Sequence, residues 1–133
     1  MIYNDKKIAI KEVEASYIIR KNSFDTFIKI VSVDDQRIIF TFCDKNFDPR
    51  KLELNKTIDL KNLVYWDVTL VTKETYYLFD LTKDEINLTR LEDNKFNLKV
   101  HIENPDMIYS PLGENATFKN LIIDKDFSFV YED

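Results

Sequence analysis

Cys43 and His101 are each alone of their kind in this chain of 133 residues. A thiol–imidazole pair is the one nucleophilic arrangement they could form. Alternation along their segments argues against it. Cys43 counts onto the same face as Ile28, Ile30 and Ile39, as a small buried hydrophobe does, while His101 falls with Asn97 and Lys99 on a polar face. One Cys and one His also cannot build a Cys-rich or multi-His zinc centre. The single glycine, Gly113, excludes the multi-glycine phosphate loops and the G-x-S-x-G elbow.

Carboxylates are the remaining reactive type. A hairpin symmetric about Lys73-Glu74 sets Asp67 opposite Asp80. Directly opposed strand residues have Cβ atoms about 5 Å apart, close enough to share a proton or a cation. That would serve a Ca²⁺ site or the acid pair of a glycosidase. The plainer reading has both carboxylates in water or reaching a neighbouring Lys or Arg. Asp124 and Asp126, and Asp44 and Asp48 near Pro49, are acidic turn candidates that do not match the D-x-[DN]-x-[DN]-G loop. Asp67 and Asp80 are therefore the cation candidates, and no resident metal or cofactor is expected.

The elements that must position these residues read as strands. In residues 63–103, Trp66, Val68 and Leu70 alternate with polar positions and match Leu81, Phe79 and Tyr77 across the Lys73-Glu74 turn. Ile86 and Leu88 share a face with Phe96, Leu98, Val100 and Ile102, across a three-residue Glu92-Asp93-Asn94 connection in which Asn94 takes the left-handed conformation. From Ile8 to Arg20 the apolar alternation changes phase near Lys11-Glu12, as in a strand with a β-bulge, and a short helix through Ile10, Val13 and Tyr17 is the competing reading. A hairpin about Asp34-Asp35 sets Phe27 opposite Phe42, Val31 opposite Ile38 and Ile30 opposite Ile39. Apolar residues on both of its faces imply cover on both sides or a partner surface. Leu52, Leu54, Ile58 and Leu60 mark short strands at an edge or crossing between sheets. Residues 104–116 form the longest loop, and a final hairpin turns at Asp124-Lys125-Asp126.

With 44% hydrophobic and 14% aromatic residues, the chain can fill a core. About ten or eleven short strands without a linker or repeat predict a single all-β domain over residues 1–133. Its expected fold is an antiparallel β-sandwich built from meandering hairpins, with an up-and-down barrel as the alternative. The net charge of −5 is spread with no basic patch, which disfavours nucleic acid. No signal peptide or membrane-length apolar run is present, and a lone Cys fits a reducing compartment, so a cytoplasmic protein or a virion component is expected.

Tyr65, Tyr76 and Leu78, on the side opposite Trp66, together with Met107 and Tyr109 in the long loop, make the expected binding surface. The function expected is non-catalytic protein–protein binding or assembly, by a protein partner or by self-association. A bacterial or phage structural component, an adaptor and a toxin-neutralising protein all fit. A small-molecule or glycan binder is the alternative, and a carboxylate-dependent hydrolase using Asp67 and Asp80 comes third.

Overall fold

The structure, a computed structural model, describes residues 1–21, 24–63, 65–71, 76–80, 85–103, 106–109 and 119–132. Among these, thirteen strands form two sheets. They are β1 (Ile2–Tyr3), β2 (Lys6–Lys7), β3 (Ile10–Ile19), β4 (Phe24–Ser32), β5 (Arg37–Cys43), β6 (Thr57–Asp59), β7 (Tyr65–Val71), β8 (Tyr76–Asp80), β9 (Glu85–Glu92), β10 (Lys95–Glu103), β11 (Asp106–Tyr109), β12 (Asn120–Phe127) and β13 (Val130–Glu132). One sheet has the order β2-β1-β12-β10-β9-β6, and the other β11-β8-β7-β5-β4-β3-β13. Neither closes into a barrel, so the β-sandwich is the architecture found.

Alternation explains why these segments pair as they do. The seven-stranded sheet turns Ala15, Tyr17, Ile28, Ile30, Ile38, Phe40, Phe42 and Val68 inward. The six-stranded sheet answers with Ile86, Leu88, Phe96, Leu98, Val100, Ile102, Leu121 and Ile123, and all of these are buried in one cluster. Fully burying such a side chain is worth about 1.5–3 kcal/mol, which makes each register costly to slip. The β9–β10 pairing matches the expected faces. Leu70 lies opposite Tyr77 as expected, and the bulge near Lys11 is present between Ile10 and Glu12.

Several local expectations are overturned. Asp35 has φ 64 and its N–H donates to the Ser32 carbonyl at 3.1 Å, while Ser32 pairs with Gln36. The loop is therefore Val33-Asp34-Asp35, three residues ending in a left-handed one. That extra residue moves the β4–β5 register by one, so Phe27 faces Thr41, Ile30 faces Ile38 and Val31 faces Arg37. Asn94 is not among the described residues with positive φ. Glu92 pairs with Lys95 around a two-residue turn, with a bulge following.

Asp124-Lys125-Asp126 is no turn. It lies inside the continuous strand β12, where Lys125 is registered with Leu98. The Leu121–Ile123–Phe127 alternation runs straight through the charges. The chain then crosses at Ser128-Phe129 to the other sheet, where β13 pairs parallel with β3. The expected long loop contains β11, and the rest of 104–116 lies outside the described residues.

Of the short segments, Thr57–Asp59 is an edge strand on β9, while Pro49–Lys51 and Leu60–Asn62 are 3-10 turns capped by Asp48 and Asp59. A further hairpin joins β1 and β2 through Asn4 (φ 48) and Asp5 (φ 65). Both central residues are left-handed, which is the twist-matched type I′ turn.

Candidate functional site

The side chains that do not enter the core divide unequally between the two sheets. On the six-stranded sheet the outer residues of β10 and β12 include Asn97, Lys99, His101, Glu103, Asp124 and Asp126, with half-buried Ile122 and Ile2 in the row of His101. On the seven-stranded sheet the outer positions fall into rows across adjacent strands. Ile18, Asp25, Cys43 and Tyr65 form one row, and Ser16, Phe27, Thr41 and Asp67 the next. Glu14, Lys29, Ile39 and Thr69 form a third, which continues to Leu78 and Tyr109. Glu12, Val31, Arg37, Val71 and Tyr76 form the fourth.

Ile18, Phe27 and Ile39 are half-buried yet pack on no part of the core, and Val31 is buried on this outer side outside the core cluster. Tyr65 is 52% exposed. The result is an apolar band across β3, β4 and β5, rimmed by charges. Arg20 Nε lies 2.7 Å from Asp25 Oδ2 at one end, and Lys29 Nζ lies 3.3 Å from Glu14 Oε2 beyond Phe27. Alternation forces this arrangement: once Ile28, Ile30, Ile38 and Phe40 are committed to the core, their apolar neighbours must face out.

Of the residues expected to bind, Tyr65, Tyr76, Leu78 and Tyr109 fall on these rows by register. Met107 is registered with Phe79 and is off them. Ile18, Phe27, Val31 and Ile39 were not on the expected surface. Their signal was the two-faced apolar pattern of β4 and β5, obscured by assigning that hairpin a two-residue turn.

The reactive candidates are not assembled into a site. Cys43 stands in β5 of one sheet and His101 in β10 of the other, so the dyad does not form. Cys43 shares a face with Ile39 but not with Ile28 or Ile30, a consequence of the shifted register. Burial, then a hydrogen bond to Asp25 and the charges of Asp25 and Asp67, push its thiol up to about 11, with Arg20 opposing. His101 is exposed and its Nε2 is 3.0 Å from Glu103 Oε1.

The β7–β8 ladder pairs Thr69, Leu70 and Val71 with Leu78, Tyr77 and Tyr76, the expected register, and ends one pair short of Asp67 and Asp80 on that same line. Asp67 accepts the Tyr65 hydroxyl hydrogen bond at 2.9 Å, which is the main cause of that phenol's raised pKa. On its β11 side Asp80 is registered with Asp106. Asp124 and Asp126 both accept from Asn97 Nδ2, at 2.7 and 2.9 Å. Asp44 accepts from the Asn46 N–H at 2.8 Å, and Asp48 is engaged by Arg50. Among the described residues no group of three or more His, Cys, Asp or Glu could hold a metal ion.

Between the sheets the core is apolar, and the buried polar residues described are Asp25, Thr26 and Ser32. No described helix is long and apolar enough to cross a membrane. No protein family, curated protein or solved structure matches the chain.

Proposed function

We propose that this protein is a non-catalytic binding or assembly component that docks another protein on the outer face of its seven-stranded sheet. The run of outward apolar residues across β3, β4 and β5 carries the reading. Single exposed apolar residues are ordinary, but Ile18, Phe27 and Ile39 lie on three adjacent strands beside buried Val31 and exposed Tyr65. A contiguous apolar surface rimmed by charge is the pattern of a protein contact, with Phe and Tyr as anchors. The ion pairs Arg20–Asp25 and Lys29–Glu14 supply the rim. The separation of Cys43 from His101 favours binding over nucleophilic chemistry. An adaptor, a structural component and a toxin-neutralising protein would all use such a face.

Replacing Phe27 and Ile39 together by Thr keeps strand propensity while removing apolar area. Light scattering with quantitative cross-linking mass spectrometry compares the variant with the wild type. The wild type should carry a stoichiometric protein partner or a second copy, and the Phe27→Thr/Ile39→Thr chain should carry at least about tenfold less. Its melting should stay within about 1 kcal/mol of the wild type's. A wild-type monomer without a partner, or a partner held equally by both chains, overturns the reading.

A further inference from the structure

Strand β3 pairs with β4 along its whole length, from Ile10 opposite Ser32 to Ile19 opposite Phe24. On its other side it pairs only with β13, and only through Ser16, Tyr17 and Ile18. Among the described residues no strand or isolated bridge covers that side over residues 10–15. Alternate N–H and C=O groups of an edge strand point outward and form a template for another strand. A depression of about 390 Å³ lies beside this edge, between Val13, Ala15 and Ser16 on one wall and Ser128, Val130 and Glu132 on the other.

The two faces of the edge differ in character. Val13 and Ala15 belong to the inward side, where Ala15 is in the core and Val13 packs against it. Glu12 and Glu14 lie on the outward side and are exposed, and exposed Glu132 stands further along on β13, registered with Ile18. Lys29 answers only Glu14, and Lys11 is set apart by the bulge. A strand laid along β3 would place one set of its side chains beside Val13 and Ala15 and the other beside Glu12 and Glu14. The first set should be apolar and the second basic. A second copy centred on Val13 would instead oppose Glu12 with Glu14 twice, a like-charge pairing.

We propose that the open edge of β3 over residues 10–15 is a strand-addition site for an extended segment of a protein partner in which apolar and basic residues alternate. Main-chain hydrogen bonds supply the attachment, and the side chains select the segment. About six residues, roughly 20 Å of extended chain, fill the edge. This contact shares Glu14 with the rim of the Phe27–Ile39 band but does not require the band.

The probe is a dye-labelled heptapeptide of alternating lysine and valine, compared with its glutamate–valine counterpart and with the same lysine peptide N-methylated at every amide. Fluorescence anisotropy on the full chain should give at least about tenfold tighter binding for the lysine peptide than for either comparison. Amides between residues 11 and 15 should gain protection from hydrogen exchange. The exposed Glu12→Lys variant, which leaves the Glu14–Lys29 pair intact, should narrow the preference for the lysine peptide severalfold with its melting unchanged. Absence of binding, equal binding of the N-methylated peptide, or protection gained only elsewhere overturns the proposal. So does dimerisation through this edge that the peptide does not dissolve.

Discussion

Cys43 stands between Asp25 and Tyr65 in one row of the outer face, and its neighbours decide its chemistry. With the thiol pushed up to about 11 by burial and then by Asp25, its thiolate is scarce at neutral pH. An ordinary thiol is ionised to about a quarter at pH 8, and one at 11 to about one part in a thousand. Since the thiolate is the nucleophile, iodoacetamide should label native Cys43 on the order of a hundredfold more slowly than the urea-unfolded chain. Asp25→Asn removes the charge that holds the proton on and should speed the native reaction, and native labelling as fast as unfolded labelling would refute the account. That Cys43 and His101 fall apart was legible in the sequence, because His101 counts onto the polar side of its strand. The identity of its neighbours did not, because they depend on a register set by the backbone of Asp35.

At the scale of elements, legibility followed the length of the alternating run. The β9–β10 pair was read correctly, since four apolar residues on one strand leave little freedom of register. The β1–β2 hairpin was missed because two-residue strands carry almost no periodic signal, although Asn4-Asp5 is a short polar turn of the favoured size. Asn94 was assigned the wrong task. Its side chain, not its backbone, matters: Nδ2 donates to the Phe129 carbonyl at 2.9 Å, while Oδ1 accepts from the Phe129 N–H at 3.3 Å and the Tyr131 hydroxyl at 3.2 Å. These bonds join the β9–β10 turn of one sheet to the strand β13 that enters the other, a pairing of residues more than thirty apart that no local pattern reveals. Asn94→Ala should therefore cost about 1–3 kcal/mol by stranding the Phe129 backbone groups. It should also accelerate exchange of the Tyr131 amide. Asn94→Gly separates the two roles, since glycine relieves a left-handed turn residue but forms no clasp. It should destabilise at least as much as alanine in chemical denaturation, and a neutral or stabilising glycine would return Asn94 to the turn role.

For the molecule as a whole, the all-β sandwich was legible because binary patterning fixes which residues must meet in a core, whichever strands carry them. The surface was less so: the apolar band on β3–β5 follows only once the core side of each strand is known. The end of the sandwich depends on still longer-range contacts. Asp48 caps the Pro49–Lys51 turn through the Arg50 N–H and grips the Arg50 guanidinium at 3.1 and 3.0 Å. That guanidinium lies 5.4 Å from the ring centre of Tyr17 on β3 and 5.0 Å from that of Tyr131 on β13. Arg90 on β9 meanwhile donates to the carbonyls of Arg50 and Leu52 at 3.0 and 3.1 Å, so the same short turn ties both sheets together. Burial alone would raise the Asp48 carboxyl, but the hydrogen bonds and charge of Arg50 outweigh it and hold it below the ordinary range. A depressed carboxyl contributes stability above its unfolded pKa of about 3.9, and that contribution disappears as pH falls through the folded value. Asp48→Asn should then lower stability by about 1–2 kcal/mol at pH 7. As pH falls through the folded value of Asp48, below the ordinary carboxylate range, the two melting curves should converge. Thermal unfolding of both chains followed from pH 7 down to pH 2 measures that gap. A gap that stays constant with pH would mean that Asp48 acts through packing and not through the charge that orients Arg50 over Tyr17 and Tyr131.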